Sequence, residues 1–120
     1  MLKHSCYTTT TANQVKAIAI ADFVWHNFRE KSVEDIPAMA SHFGLSITHF
    51  NRLSVIAFNQ PIRRQVIMLR MDYAMELLTS SNHSISQIAL LAGYSDGRYF
   101  SKAFKKHFKN RPSEFRSLTL

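Results

Sequence analysis

The chain is poor in several things at once. It holds one cysteine, three glycines, three prolines and one tryptophan in 120 residues, and eight acidic residues against fifteen Lys and Arg. The single Cys6 cannot close an intramolecular disulfide, so nothing points to secretion and a reducing cytoplasm is the simpler setting. The three glycines form no phosphate-cradling loop. The longest apolar run near the start, Ala17 to Ala21, stops at Asp22 and falls far short of a membrane span or the apolar core of a signal peptide. Six histidines are spread over positions 4, 26, 42, 49, 83 and 107. They lack the i, i+4 pairing with a carboxylate or thiol partner that a metal site needs. No nucleophile stands with a base and an orienting partner. We therefore expect no enzyme, no cofactor and no metal.

What is present is apolar content of 46%, enough for a helical core, and a formal net charge of +7. A basic balance of this size suits an anionic partner such as nucleic acid or an acidic surface. The charge is unevenly placed. Residues 1–60 hold five Lys/Arg against four Asp/Glu, whereas residues 61–120 hold ten against four. From Arg98 to Arg116 there are seven basic residues and one acid, Glu114.

The strongest signal is an internal repeat. Asp35 to Phe58 and Ser84 to Phe108 carry the same order of small, apolar and helix-starting residues, about fifty positions apart. Ile36 and Ala40 precede Gly44 as Ile85 and Ala89 precede Gly93, and Ser46, Phe50, Asn51 and Arg52 answer Asp96, Phe100, Ser101 and Lys102. This is the order that a helix-turn-helix requires. A small residue allows the second helix to cross close over the first, a glycine accommodates φ > 0 in the turn, and a capping side chain starts the second helix. Asp35 and Ser84 are placed to cap the first helices. Pro37 falls at a second helical position, where no intrahelical amide bond is lost. A second helix of this kind points its first turns into a DNA major groove.

A coarse reading gives an all-α chain of about seven helices with no strand pair. Residues 1–11 read as a polar tail or linker. Residues 12–60 read as an N-terminal helix-turn-helix subdomain, 61–79 as a linker helix opened by Pro61, and 80–120 as a C-terminal helix-turn-helix subdomain. Helix one is expected from about Ala12 to Arg29 with Val15, Ile18, Trp25 and Phe28 as its buried stripe. The linker helix offers Val66, Leu69, Met71, Ala74, Leu77 and Leu78 for burial. Its length of about 25 Å is compatible with two reading heads roughly one DNA turn apart.

The segment Ser84 to Arg116 closely resembles the C-terminal half of the DNA-binding domain of AraC/XylS-type bacterial transcription regulators. The residues that carry the likeness are Ile88-Ala89, Gly93-Tyr94, Tyr99-Phe100, Phe104-Lys105 and Pro112-Ser113-Glu114-Phe115-Arg116. Arg70-Met71, Ala74 and Leu77-Leu78 extend it onto the linker helix, so that it spans about residues 15–117. The resemblance implies two homeodomain-like helix-turn-helix subdomains on a long linker helix. Three positions depart from the pattern. Ser54 stands where the second copy has Phe104, Asn59 replaces the usual glycine after that helix, and Gln65 takes a place often held by an aromatic. Ser54 is read as an underfilled core position.

Helix periodicity then divides the residues. In the second recognition helix Phe100, Ala103, Phe104 and Phe108 form the core stripe, leaving Gly97, Arg98, Ser101, Lys102 and Lys105 on the other side. In the first, Phe50, Leu53, Ala57 and Phe58 face inward, and Ile47, Thr48, Asn51, Arg52 and Val55 outward. The base-reading candidates are Ile47, Thr48, Asn51, Arg52, Gly97, Arg98, Ser101 and Lys102. The resemblance places base readers at Gly97, Arg98 and Lys102, and with no side chain on Gly97 the task falls to Arg98. Ser46, Val55, Lys105, Lys106, Lys109 and Arg111 are candidates at the sugar-phosphate rim, although Lys109 and Arg111 also suit the carbonyl end of their helix. The leading reading is a sequence-specific duplex DNA-binding regulator, an activator that reads two successive major grooves. The resemblance implies RNA polymerase as a further partner. No membrane partner and no small-molecule effector within this chain are expected. The alternative is a helical protein-interaction module that keeps the fold without reading DNA, motivated by Ser54, Gly97 and the near-neutral first half.

Overall fold

The computed structural model describes residues 11–119, so the expected tail, with His4 and Cys6, lies almost wholly outside the described residues. Every regular element described is helical. The order is α1 (Ala12–Asn27), a 3-10 turn (Lys31–Glu34), α2 (Ile36–His42), α3 (Ile47–Phe58), α4 (Ile62–Ser80), α5 (Ile85–Leu91), α6 (Gly97–Phe108) and α7 (Pro112–Thr119). The chain divides into two compact units. One comprises α1 and Ser32–Gln65, the other Phe28–Lys31 and the chain from Val66 onward. α4 is continuous across the boundary at Gln65 and Val66.

In the first unit α1 and α2 pack on α3. The core is Ala17, Ile20, Val24, Val33, Met39, Ala40, Phe50, Leu53 and Ile62. Phe43 links its rings, meeting Phe23 edge-on at 5.6 Å and stacking on Phe50 at 6.2 Å. The stripe expected on α1 is not the one buried. Val15, Ile18 and Trp25 are 55%, 65% and 62% exposed, and Phe28 lies beyond the helix end. α1 is apolar around most of its circumference, so spacing alone does not choose a face. The face chosen presents an alanine and two mid-sized aliphatics, Ala17, Ile20 and Val24, which let α3 come close.

Ser54 is only 1% exposed, a core position as expected, and its Oγ donates to the Phe50 carbonyl at 2.8 Å. Asn59 ends α3 in the left-handed conformation, φ 57°, which asparagine accepts with little strain. Gln65 receives a hydrogen bond from the Gln60 amide at 2.8 Å. This side-chain pair occupies the place where an aromatic was the usual choice.

The second unit is built around Met71, Ala74, Leu78, Ile88, Ala89, Ala92, Phe100 and Phe104. A chain of rings crosses it. Tyr94 meets Phe100 at 5.6 Å, Phe100 meets Phe104 at 5.8 Å, and Phe104 touches both Phe108 at 4.7 Å and Phe115 at 5.7 Å. Two guanidinium groups tie the loops down. Arg70 is 4% exposed, donates from Nε to the Phe28 carbonyl at 2.6 Å and from Nη2 to the Glu30 carbonyl at 3.1 Å, and has its guanidinium carbon 5.3 Å from the Tyr94 ring centre. Arg116 donates to the carbonyls of Leu78, Ser81 and His83, closing the last turn of α4. At the start of α7 the Arg111 amide donates to Glu114 Oε1 at 2.7 Å, and this bond holds the Glu114 carboxyl below the ordinary carboxylate range.

The two turn glycines differ in what surrounds them. Both have positive φ, 68° at Gly44 and 103° at Gly93. A Cβ at Gly44 meets nothing within 4 Å, whereas one at Gly93 falls 2.9 Å from the Arg29 carbonyl oxygen and 3.0 Å from Arg70 Nε. Gly44→Ala therefore bears only the left-handed penalty, about 1 kcal/mol. Gly93→Ala adds displacement of a backbone carbonyl and a buried guanidinium, and we expect a loss at least about 2 kcal/mol larger in urea melts. Ser54→Ala removes a hydroxyl whose acceptor already belongs to the helix ladder, and is expected to shift stability by less than about 1 kcal/mol in the same melts.

Candidate nucleic-acid interface

Both copies are built by the same local chemistry. The Asp35 carboxylate accepts from the Ala38 amide at 3.0 Å and so caps α2, with Pro37 in its first turn. Ser84 caps α5 in a reciprocal capping box, accepting from the Gln87 amide at 3.1 Å while Gln87 Oε1 accepts from the Ser84 amide at 2.8 Å. Ala40 and Ala89, 1% exposed each, lie where α3 and α6 cross the preceding helix. After each glycine a side chain opens the recognition helix. Ser46 Oγ accepts from the His49 amide at 3.1 Å, and Asp96 Oδ1 accepts from the Arg98 amide at 2.8 Å.

In α6 the burial of Phe100 and Phe104 turns the opposite side outward. Gly97, Arg98, Lys102, Lys105 and Lys106 are exposed, and the Arg98 side chain is 94% exposed with Nε at 3.8 Å from Asp96 Oδ1. Ser101 is half-buried. It joins Gly97, Arg98, Lys102, Asp96, Ile85 and Ser86 around one shallow, open concavity between the start of α5 and the start of α6. Of the rim candidates, Lys109 and Arg111 are occupied within the chain. Lys109 Nζ donates to the Lys106 carbonyl at 3.3 Å, and Arg111 Nε lies 3.6 Å from Glu114 Oε1. For Lys109 this is the expected complement to its helix end, whereas Arg111 pairs with the Glu114 carboxylate in the first turn of α7.

In α3, Phe50, Leu53 and Ser54 are buried, with Ala57 and Phe58 partly so. Ser46, Ile47, Thr48, Asn51, Arg52 and Val55 are exposed, as the periodicity required. Two large exposed hydrophobic residues on the recognition helices are not among the candidates drawn from the sequence. Ile56 stands beside Arg52 and Val55 on α3, and Tyr99 projects from the first turn of α6. Both carried a signal, since Ile56 stands at the register position of Lys106 and Tyr99 follows Arg98 outside the core stripe. Among the described residues no three His, Cys, Asp or Glu side chains gather as a metal site would need, and no helix is long and apolar enough to cross a membrane.

Known proteins share this arrangement. A sequence profile described as a helix-turn-helix domain matches residues 39–117. The transcriptional activator RhaR of Mannheimia succiniciproducens is 36% identical over 73 residues, covering 61% of this chain and 26% of the activator. The C-terminal domain of AraT, a response regulator from Geobacillus stearothermophilus, has a TM-score of 0.82 at 23% identity over 90% of this chain and 88% of its own. The DNA-binding domain of the global transcriptional factor AdpA, solved with a target DNA, has a TM-score of 0.78 at 17% identity, covering 86% and 91% of the two chains. These two structures share the fold. The chain spans between 26% and 37% of the length of the first curated relatives it matches. Since the profile runs from within the first copy to the closing helix, the chain belongs to the AraC/XylS-type helix-turn-helix family.

Proposed function

We propose that the chain is a sequence-specific duplex DNA-binding regulator of transcription that places α3 and α6 in two successive major grooves and acts as an activator in the bacterial cytoplasm, with RNA polymerase as its protein partner. One observation carries the reading. The side of α6 opposite Phe100 and Phe104 presents Arg98, Lys102, Lys105 and Lys106 together, on a helix that a capped turn starts cleanly. Arg98 in the first turn has the reach for a bidentate contact to a guanine edge, and Lys102 one turn later supports it. Lys105 and Lys106 suit phosphates, which add affinity without sequence information. The DNA seated on AdpA, a protein of the same fold, is consistent with this use, and the activator role named for RhaR supports the direction of regulation.

The decisive experiment is one round of selection from a random duplex pool at about 0.15 M salt, where the phosphate contribution is already weakened. Two enriched blocks about one turn apart are expected. A single block would confine base reading to one helix, bound DNA with no enrichment would indicate binding by charge alone, and no recovery would put a protein-interaction module in its place. On the selected duplex, Arg98→Ala is expected to relax preference at one or two base positions at a cost of about 1–3 kcal/mol. Lys105→Ala is expected to weaken all sequences alike and to flatten the salt dependence. For about six neutralised phosphates the log-log slope should lie near −5 in the unaltered chain.

A further inference from the structure

The two recognition helices share a register and differ in chemistry. Each runs twelve residues from its capping side chain and closes on a left-handed residue, Asn59 at φ 57° and Lys109 at φ 71°. Counted from Ser46 and Asp96, Thr48 answers Arg98, Arg52 answers Lys102, Val55 answers Lys105 and Ile56 answers Lys106. These four positions lie on the side of each helix away from its buried phenylalanine. Three of the four cations of α6 are thus missing from α3, and two of their places hold β-branched aliphatics. Val55 and Ile56 are 47% and 54% exposed, and Ile47 at the helix start is 48% exposed.

Such a surface holds phosphates poorly, because Arg52 is its one strong cation. It matches instead the one apolar group on base edges in the major groove, the C5-methyl of thymine. Resting on the DNA-reading proposal above, we infer that α3 recognises a thymine-bearing block through methyl contacts from Val55 and Ile56, with Ile47 at its edge. α6 supplies most of the charge-dependent affinity. The two copies of one fold divide the work, with a hydrophobic reader in the first and an electrostatic grip with guanine reading in the second.

The test replaces thymine by deoxyuridine, which removes the methyl and leaves the pairing edge unchanged. The duplex is the one enriched by selection, the protein is the whole 120-residue chain, and the block under α3 is the one whose preference Arg52→Ala erodes. By fluorescence anisotropy, replacement in that block should weaken binding about fourfold per contacted methyl, with an unchanged salt slope. Replacement in the α6 block should change affinity less than about twofold. The double variant Val55→Ala, Ile56→Ala should bind the thymine and deoxyuridine duplexes equally, and both changes are exposed helix positions that alanine tolerates. Equal affinity of the unaltered chain for both duplexes, or an α3 block that contains no thymine, overturns the thymine assignment and leaves DNA reading intact. A pool from which no sequence is enriched overturns the DNA reading together with it.

Discussion

The rotation of each recognition helix about its own axis is the constraint on which the interface depends, and aromatic burial sets it. In α6 Phe100 and Phe104 are wholly buried, and Phe104 touches the rings of Phe100, Phe108 and Phe115. Burying a phenylalanine contributes about 1.5–3 kcal/mol, whereas an exposed ion pair such as Arg98 with Asp96 contributes less than about 1 kcal/mol. The core therefore decides which way the helix faces, and the outward residues are free to vary without disturbing it. That freedom lets the same fold carry lysines on α6 and aliphatics on α3.

Phe104 has no aromatic counterpart in the first unit. Ser54 occupies the equivalent position, buried and bonded to the Phe50 carbonyl, and the ring contacts pass instead through Phe43 to Phe23. The first unit recovers its packing from α1, which lies outside the repeated segment and has Ala17, Ile20 and Val24 buried where it packs on α3. The second unit has a different support. Arg70 is buried on the carbonyls of Phe28 and Glu30 and faces the Tyr94 ring, so a charged side chain fills the space beside Gly93. An ionised group at that depth is tolerable because its N–H donors meet carbonyl oxygens.

The division of charge has a functional side. The second half of the chain holds ten of the fifteen basic residues, and four of them line the outward side of α6. On the proposed reading, affinity and its salt dependence belong mainly to α6, while α3 adds discrimination that salt leaves largely untouched. Hydrophobic contact to a methyl releases no counterions, and phosphate contact does.

Much of this was legible in the residues because its causes are local. The capping side chains Asp35, Ser46, Ser84 and Asp96, the positive-φ glycines and the period of Phe50/Leu53 and Phe100/Phe104 all act over a few positions, and each copy of the repeat corroborated the other. The inward and outward faces of α3 and α6 followed from them. The all-helical class, the two helix-turn-helix copies and the faces of their recognition helices therefore follow from the residues alone. The tertiary structure alone decided which face of α1 is buried, because that helix is apolar nearly all round and only its neighbour distinguishes Ile20 and Val24 from Ile18 and Trp25. It alone decided that Phe28–Lys31 joins the second unit, since the carbonyls that hold Arg70 lie about forty residues before it in the chain. The partner of a long side chain such as Arg70 is chosen by what lies nearby in space, and spacing along the chain does not record it.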